Sequence, residues 1–360
     1  VPTEGTRGKR YFPSVESIDD IENYAEELGL ELFHIKDFSY KISIQPNSGT
    51  QANQIVYNAI LNTGDTVLAL NPKDGGHISH TKLGCRDIRP IYFSLNKNLE
   101  IDYEMLENQI INEKPKLVIV GASSYIKEFD YQKIYTITSR YKVPLMADIC
   151  HSVLYIMGNI HKNIFPFVDF ATFTMDKLLC GPQGGVIVYK DEYDSKIGTS
   201  IFPKTQGGPI QNSLFSKTMC FLKLSSMNVE EYAKSIIDNT NLMINVLKTQ
   251  NIKTINDIAE NHIILVDVTT NGISGKIAEE MLYKHGVLVN RNQIPNDKQS
   301  ALTTSGIRIG TVPITNLNYS NSDITILGKY LATVINGEIP QKEDFLYLIE
   351  KYHKHINISN

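Results

Sequence analysis

At 360 residues, 42% hydrophobic and 21% charged, the chain can bury a large core and has room for two domains, or for one with an appendage. A formal net charge of −4 gives no electrostatic case for nucleic acid or an anionic membrane, and no apolar run approaches the ~20 residues of a membrane span. Cys85, Cys150, Cys180 and Cys220 form no CxxC pair and are spaced too widely for a zinc knuckle, so they read as reduced, buried thiols of a cytosolic protein without a metal site.

Val1-Pro-Thr-Glu-Gly lacks signal-peptide character. The chain opens without Met on a motif already under way, which points to residues upstream of Val1 or to a lost N-terminal arm. A helix is expected over Thr50–Leu61, just after Ser48-Gly49. Near-continuous apolar runs at 66–70, 116–120, 143–147, 169–174 and 185–189 read as strands buried on both faces. A helical pattern at 131–141 lies among them, and the alternation argues for an α/β layer with a largely parallel sheet. The Gly/Pro-rich stretch 202–214 reads as a loop joining two domains, taken as 1–225 and 226–360. Beyond it the spacing predicts a helix at 229–250, a strand at 263–268, a helix at 274–285, strands at 287–290 and 307–310 and a helix at 323–335, together a smaller α+β domain.

Several residues in this frame carry chemistry. Lys177 ends the apolar run DFATFTMDK. An amine desolvated at a strand end is suited to forming a Schiff base, although a lysine there can also emerge into solvent. Asp148 ends VPLMAD, where strand ends of an α/β sheet converge on a ligand crevice. It can hold a heterocyclic nitrogen protonated, or it can cap the next helix. Ser48, Gly49 and Thr50 before a helix suit a phosphate, and Ser or Thr there is equally a common cap. His77, in Gly75-Gly-His-Ile-Ser-His80, can stack on a flat ring or stay solvated. Arg308 in an apolar strand demands an anionic partner, either a ligand or a structural one.

These features occur in a recognisable order. Glu4-Gly-Thr-Arg-Gly-Lys-Arg-Tyr11, Gln45-Pro-Asn-Ser-Gly-Thr-Gln-Ala-Asn53, Gly75-Gly-His77, Gly121-Ala-Ser123-Ser-Tyr125, Asp148-Ile-Cys-His151, Phe202-Pro-Lys-Thr-Gln-Gly-Gly-Pro209, Asn290-Arg-Asn-Gln-Ile-Pro295 and Thr304-Ser-Gly-Ile-Arg-Ile-Gly-Thr311 resemble the serine hydroxymethyltransferase family. The resemblance runs from Glu4 to about Ile335. It implies a fold-type-I transferase dependent on pyridoxal 5′-phosphate, with a mostly parallel seven-stranded sheet in the large domain.

The resemblance also implies roles. Lys177 would carry the cofactor as a Schiff base, Asp148 would face its pyridine nitrogen, and His77 would stack on its ring. Ser123 and His151 would bond its 3-hydroxyl side or place the substrate. Thr174 would contribute to the cofactor site. Ser48, Gly49 and Thr50 would hold the phosphate, with Gly208 supplied from a second subunit. Arg308 would clamp the amino acid's carboxylate. Glu4 would serve as the acid/base group and also face a neighbouring subunit's site, while Tyr11 and Asn292 would lie where the family binds folate. A cytoplasmic homodimer with shared active sites is expected, with tetrahydrofolate as co-substrate.

The chain departs from the family at four places. Pro2 and Phe12 stand where Tyr is usual, Asp176 where His precedes the lysine, and Gln183 where Gly-Pro-Arg-Gly-Gly has Arg. Loss of that Arg removes a charge-assisted contact worth about 1.5–3 kcal/mol. Lys204 is a candidate replacement cation. The departures keep two alternatives open: a folate-independent aldolase or transaldolase for a β-hydroxy amino acid in specialised metabolism, and a non-catalytic relative.

Overall fold

The computed structural model describes residues 2–81 and 87–352. Its central sheet has seven strands: β1 (Tyr40–Ser43), β2 (Thr66–Leu70), β3 (Arg89–Phe93), β4 (Leu117–Gly121), β5 (Leu145–Asp148), β6 (Phe170–Thr174) and β7 (Gly185–Lys190). Their order is β1-β7-β6-β5-β4-β2-β3. Strands β3, β2, β4, β5 and β6 pair in parallel, and β7 is antiparallel to both of its neighbours. Every residue of β2, β4, β5 and β6 is buried, as a sheet covered on both faces requires. The Gly49–Ile60 helix packs Ala52, Ile55 and Val56 into the core formed with Val67, Ile119, Met146, Phe170 and Ile187.

The chain forms two compact units. The first takes in the residues up to Pro72, Gly76–Ser123 and Phe129–Ala233, and the second takes in Lys73–Gly75, Ser124–Glu128 and the chain from Lys234 onward. The stretch at 202–214 is not the join. It forms a helical turn, Ser200–Thr205, and enters the Gln211–Ser225 helix, both within the first unit. The chain passes between units at Ala233–Lys234, inside the Val229–Thr249 helix, where the polypeptide continues without a break.

The second unit holds an antiparallel sheet in the order Lys253–Thr254, Ile263–Asp267, Gly306–Gly310, Asn290–Asn292. Ile264, Val266, Ile307, Ala278, Leu331 and Val334 form its core with the Gly275–Lys284 and Asn321–Ile335 helices. The strand expected at 287–290 is formed by Asn290–Asn292 instead, and a helix at Lys342–Tyr352 follows. Cys150 is buried and free, but Cys180 is exposed and Cys220 only half-buried, so the expected burial of every thiol fails at these two. Cys85 lies outside the described residues.

Candidate active site

The C-terminal ends of β4, β5 and β6 bring the expected residues to one edge of the sheet. Asp148 pairs with Gly121 on one side and Thr172 on the other. Ser123 follows Gly121 by two residues, and Gly76 bridges to Ala122, which sets His77 beside it. His151 follows β5, and Thr174 closes β6 three residues before Lys177. Parallel strands put their open ends together, so residues distant in sequence meet there.

The Gly49–Ile60 helix delivers its N-terminus to the same edge. Ser48 caps it, accepting the Gln51 N–H at 3.1 Å. The N–H groups of Gly49 and Thr50 have no acceptor within the helix, and its first turn carries no acidic residue. A Cβ on Gly49 would lie 2.6 Å from Thr174 Cγ2 and 3.5 Å from Cys150 Sγ, so only glycine lets the helix end approach β5 and β6 this closely. An anion can therefore be held here against backbone N–H groups.

Asp148 sits in a network the sequence reading did not assign. Asn53 Nδ2 donates to Asp148 Oδ2 at 3.0 Å, and His80 Nε2 lies 3.0 Å from the same oxygen. Thr172 Oγ1 donates to Asn53 Oδ1 at 2.6 Å, Asn53 donates to Ser79 Oγ at 2.9 Å, and the Cys150 N–H reaches Asp148 Oδ1 at 3.3 Å. Burial opposes ionisation of Asp148, but the His80 hydrogen bond and the charges of His80 and His77 outweigh it and hold the carboxyl well below the usual range. Asn53 was discoverable: it lies one turn below Gly49, on the same helix face. His80 shares a short helical turn with Ile78 and follows the assigned His77 by three residues.

His77 is half-buried, with Nδ1 2.6 Å from Ser79 Oγ and its ring 5.7 Å from that of His80. Lys177 is exposed rather than enclosed, the second of the two environments its place beyond the strand end allowed. It lies close enough to act on Cys150: burial and then the Asp148 charge push that thiol up, and Lys177 pulls the other way. Asp176 and Gln183 are both exposed.

Glu4 lies away from the sheet edge, on the N-terminal ribbon. Arg10 fixes it by donating to the carbonyls on either side, Thr3 O at 3.1 Å and Gly5 O at 2.9 Å. The same guanidinium is gripped by Asp19 and Glu22 at 2.8 and 2.6 Å. Gly208 rests on this ribbon, since a Cβ there would lie 3.2 Å from the Glu4 N. Tyr11 is 74% exposed beside Phe12, and Pro2 is exposed. In the second unit, Arg308 pairs across the sheet with Leu265 and Asn290, is half-buried, and donates from Nε to Asn290 Oδ1 at 3.0 Å. Burial lowers its pKa from the ordinary value. Asn292 is half-buried on the neighbouring strand.

Lys204 does not reach the anion-binding end within its own chain. Its Nζ donates to Asn58 O at 3.2 Å, nine residues along the helix from Gly49, or roughly 13 Å at 1.5 Å per residue.

Among the described residues, Thr174 Oγ1, Asn47 Oδ1 and His80 Nδ1 at this edge are buried without a hydrogen-bond partner, as are Glu4 Oε2 on the ribbon and Asp323 Oδ1 in the second unit. Buried polar groups are rarely left so unless a water, an ion or a ligand completes them. With the helix end and the depressed Asp148 carboxyl, those at this edge fit a phosphorylated, basic heterocycle. A doubly covered sheet of this order, with such a site at its carboxyl edge, defines the fold-type-I class of pyridoxal phosphate enzymes.

The sequence pattern of the family described as serine hydroxymethyltransferase matches residues 2–331, and the chain belongs to that family. The serine hydroxymethyltransferase of Francisella tularensis subsp. novicida (strain U112) is 36% identical over 337 residues, covering 92% of this chain and 80% of the relative. That of Francisella philomiragia subsp. philomiragia has the same identity and coverage. Family members are transferases that use pyridoxal phosphate, with tetrahydrofolate as co-substrate. Among the described residues, no helix is long and apolar enough to cross a membrane.

Proposed function

We propose that the protein is a serine hydroxymethyltransferase, moving the hydroxymethyl carbon of serine to tetrahydrofolate and leaving glycine. The observation that carries this reading is the Asp148 network at the sheet edge, in a chain that matches the family from residue 2 to residue 331.

Pyridoxal phosphate, borne on the Lys177 amine, supplies an electron sink for the pair left on Cα when a bond to it breaks. Asp148, kept ionised by His80 and Asn53, holds a proton on the ring nitrogen opposite it. His77 would stack on the ring, and Ser123 and His151 would bond its hydroxyl side or place the substrate. Thr174 Oγ1 finds its missing partner in the site. Ser48, Gly49 and Thr50 receive the phosphate. Arg308 offers its planar guanidinium to the amino acid's carboxylate.

Glu4 takes and returns the proton of the substrate hydroxyl through the carboxylate whose Oε2 is otherwise unpartnered. Gly208 rests on the Glu4 ribbon, and both would face a neighbouring subunit's site. The assembly in this reading is a homodimer with shared sites. Tyr11 and Asn292 serve the folate, and the cytoplasm is the compartment.

The test is to purify the protein with pyridoxal phosphate and follow its visible absorption and glycine formation from L-serine, with and without tetrahydrofolate. A visible band absent from Lys177→Ala, and glycine formation that depends on folate, are the expected results. Cleavage indifferent to folate would overturn the transfer reaction in favour of a plain aldolase.

A further inference from the structure

Lys217 is a fully buried lysine on the Gln211–Ser225 helix, and it takes no part in the proposed reaction. Its ammonium donates to Ile44 O, to Pro46 O at 2.8 Å and to Gly185 O at 3.4 Å. An ammonium has three donors, and here each finds a backbone carbonyl. Two of these carbonyls belong to the segment that runs from β1 into the Ser48 cap.

In a trans peptide the carbonyl and the following N–H point in opposite directions. Turning Pro46 O toward Lys217 therefore turns the Asn47 N–H the other way, where it meets Gln51 Oε1 at 2.6 Å. Gln51 sits in the first turn of the helix whose N–H groups face the anion site. Lys217 thus sets, together with the Gly185 N–H that also donates to Pro46 O at 2.9 Å, the peptide plane that aims this turn. Its stem also shapes the opposite wall: a Cβ on Gly184 would lie 2.5 Å from Lys217 Cε, and a Cβ on Gly185 would lie 2.2 Å from Ser48 O. Gly184 and Gly185, the last two glycines of Gly181-Pro-Gln-Gly-Gly185, follow from this packing. Burial pushes the Lys217 amine down to about 7, with the Glu22 carboxylate opposing that fall.

The charge matters more in this chain than the geometry alone suggests. Gln183 stands where the resemblance places an arginine, so one cation near the phosphate position is missing. The Lys217 ammonium remains directly behind the loop, in a medium that screens it poorly.

We propose that Lys217 is a positioning residue of the phosphate cup, clamping the 44–48 backbone through its bonds to Ile44 O and Pro46 O and, when protonated, placing a positive charge behind the bound phosphate. The proposal rests on the reading that Ser48, Gly49 and Thr50 hold that phosphate.

The test titrates the cofactor-depleted full chain with pyridoxal 5′-phosphate and with pyridoxal, which lacks the phosphate, and compares the two affinities in wild type and Lys217→Met. Wild type should prefer the phosphorylated form strongly. In Lys217→Met that affinity should fall at least about tenfold while pyridoxal binding stays within about twofold. Equal losses for both ligands, or an unchanged preference, would overturn the proposal. A wild type that binds both ligands alike would overturn the phosphate-loop reading, and the proposal with it. Lys217→Gln, neutral but still a donor, covers a Met variant that does not fold. It should show the same split in reduced measure, and a preference as strong as that of wild type in Lys217→Gln would overturn the argument from charge.

Discussion

Two helix N-termini of this protein, one in each unit, start alike and end up with opposite tasks. The Gly49–Ile60 helix is capped by Ser48, which accepts the Gln51 N–H at 3.1 Å. The Asn321–Ile335 helix is capped by Ser320, which accepts the Asp323 N–H at 3.3 Å. The second carries its own anion: Asp323, in the first turn, is bonded by Ser320, Tyr352 and, at 2.8 Å, Lys351. Burial works against that carboxylate, but these bonds prevail and hold it well below the usual range. The first has no acid in its first turn and leaves the Gly49 and Thr50 N–H groups to an outside partner. A helix end that supplies its own counter-charge is structural, and one that withholds it is a receptor.

The comparison breaks most sharply if the first helix is made to resemble the second. Thr50→Glu should cut pyridoxal phosphate affinity on the order of a hundredfold, because like charges juxtaposed cost several kcal/mol. The same change should raise the melting temperature of the cofactor-free protein, since an acid at a helix N-terminus stabilises by about 0.3–1 kcal/mol. Paired titration and melting curves check both, and loss of affinity with loss of stability would contradict the receptor reading.

Asp148→Asn keeps the shape of the other buried carboxylate but not its charge. It should lower kcat/KM roughly tenfold to a hundredfold, the worth of one charge-assisted hydrogen bond of about 1.5–3 kcal/mol. Steady-state kinetics decide this, and no loss would remove Asp148 from the site.

Asp323→Asn should cost about 1.5–3 kcal/mol of stability at neutral pH, as loss of a charge-assisted hydrogen bond does. The folded pKa of Asp323 is depressed, so its contribution is complete above the unfolded value of about 3.9 and is lost as pH falls through the folded one. Urea melts of wild type and variant should therefore converge on acidification below about pH 4. Lys204→Ala should do least: its single bond to Asn58 O serves the far end of the first helix, so stability should shift by less than about 1 kcal/mol. Cofactor affinity should hold within about twofold, and a larger loss would mean that Lys204 reaches a neighbouring subunit's phosphate.

How much of this was readable in advance follows the burial pattern. The five inner strands announce themselves as apolar runs, whereas β1 and β3 do not, and these two are the edges of the sheet. An edge strand needs fewer apolar residues and tolerates a proline, as Arg89–Phe93 does at Pro90. Asp148, Lys177 and the Ser48 cap sit on motifs at strand or helix ends, where position alone marks them. Asn53, His80 and Lys217 are buried polar residues whose partners come from distant segments, and only the folded chain brings those partners together. The exposure of Lys177 was one of the two outcomes the sequence left open, because the apolar run before it stops at the strand end.

The open N-terminus of the Gly49–Ile60 helix has a practical corollary in mass action. Without cofactor, those N–H groups and the charge behind them are a standing sink for small oxyanions, so buffer composition becomes part of the folding equilibrium. An anion present at a hundred times its dissociation constant adds about 2.7 kcal/mol to the folded state. The cofactor-free protein will thus look like a sturdier molecule in phosphate or sulfate than in a buffer of neutral amines.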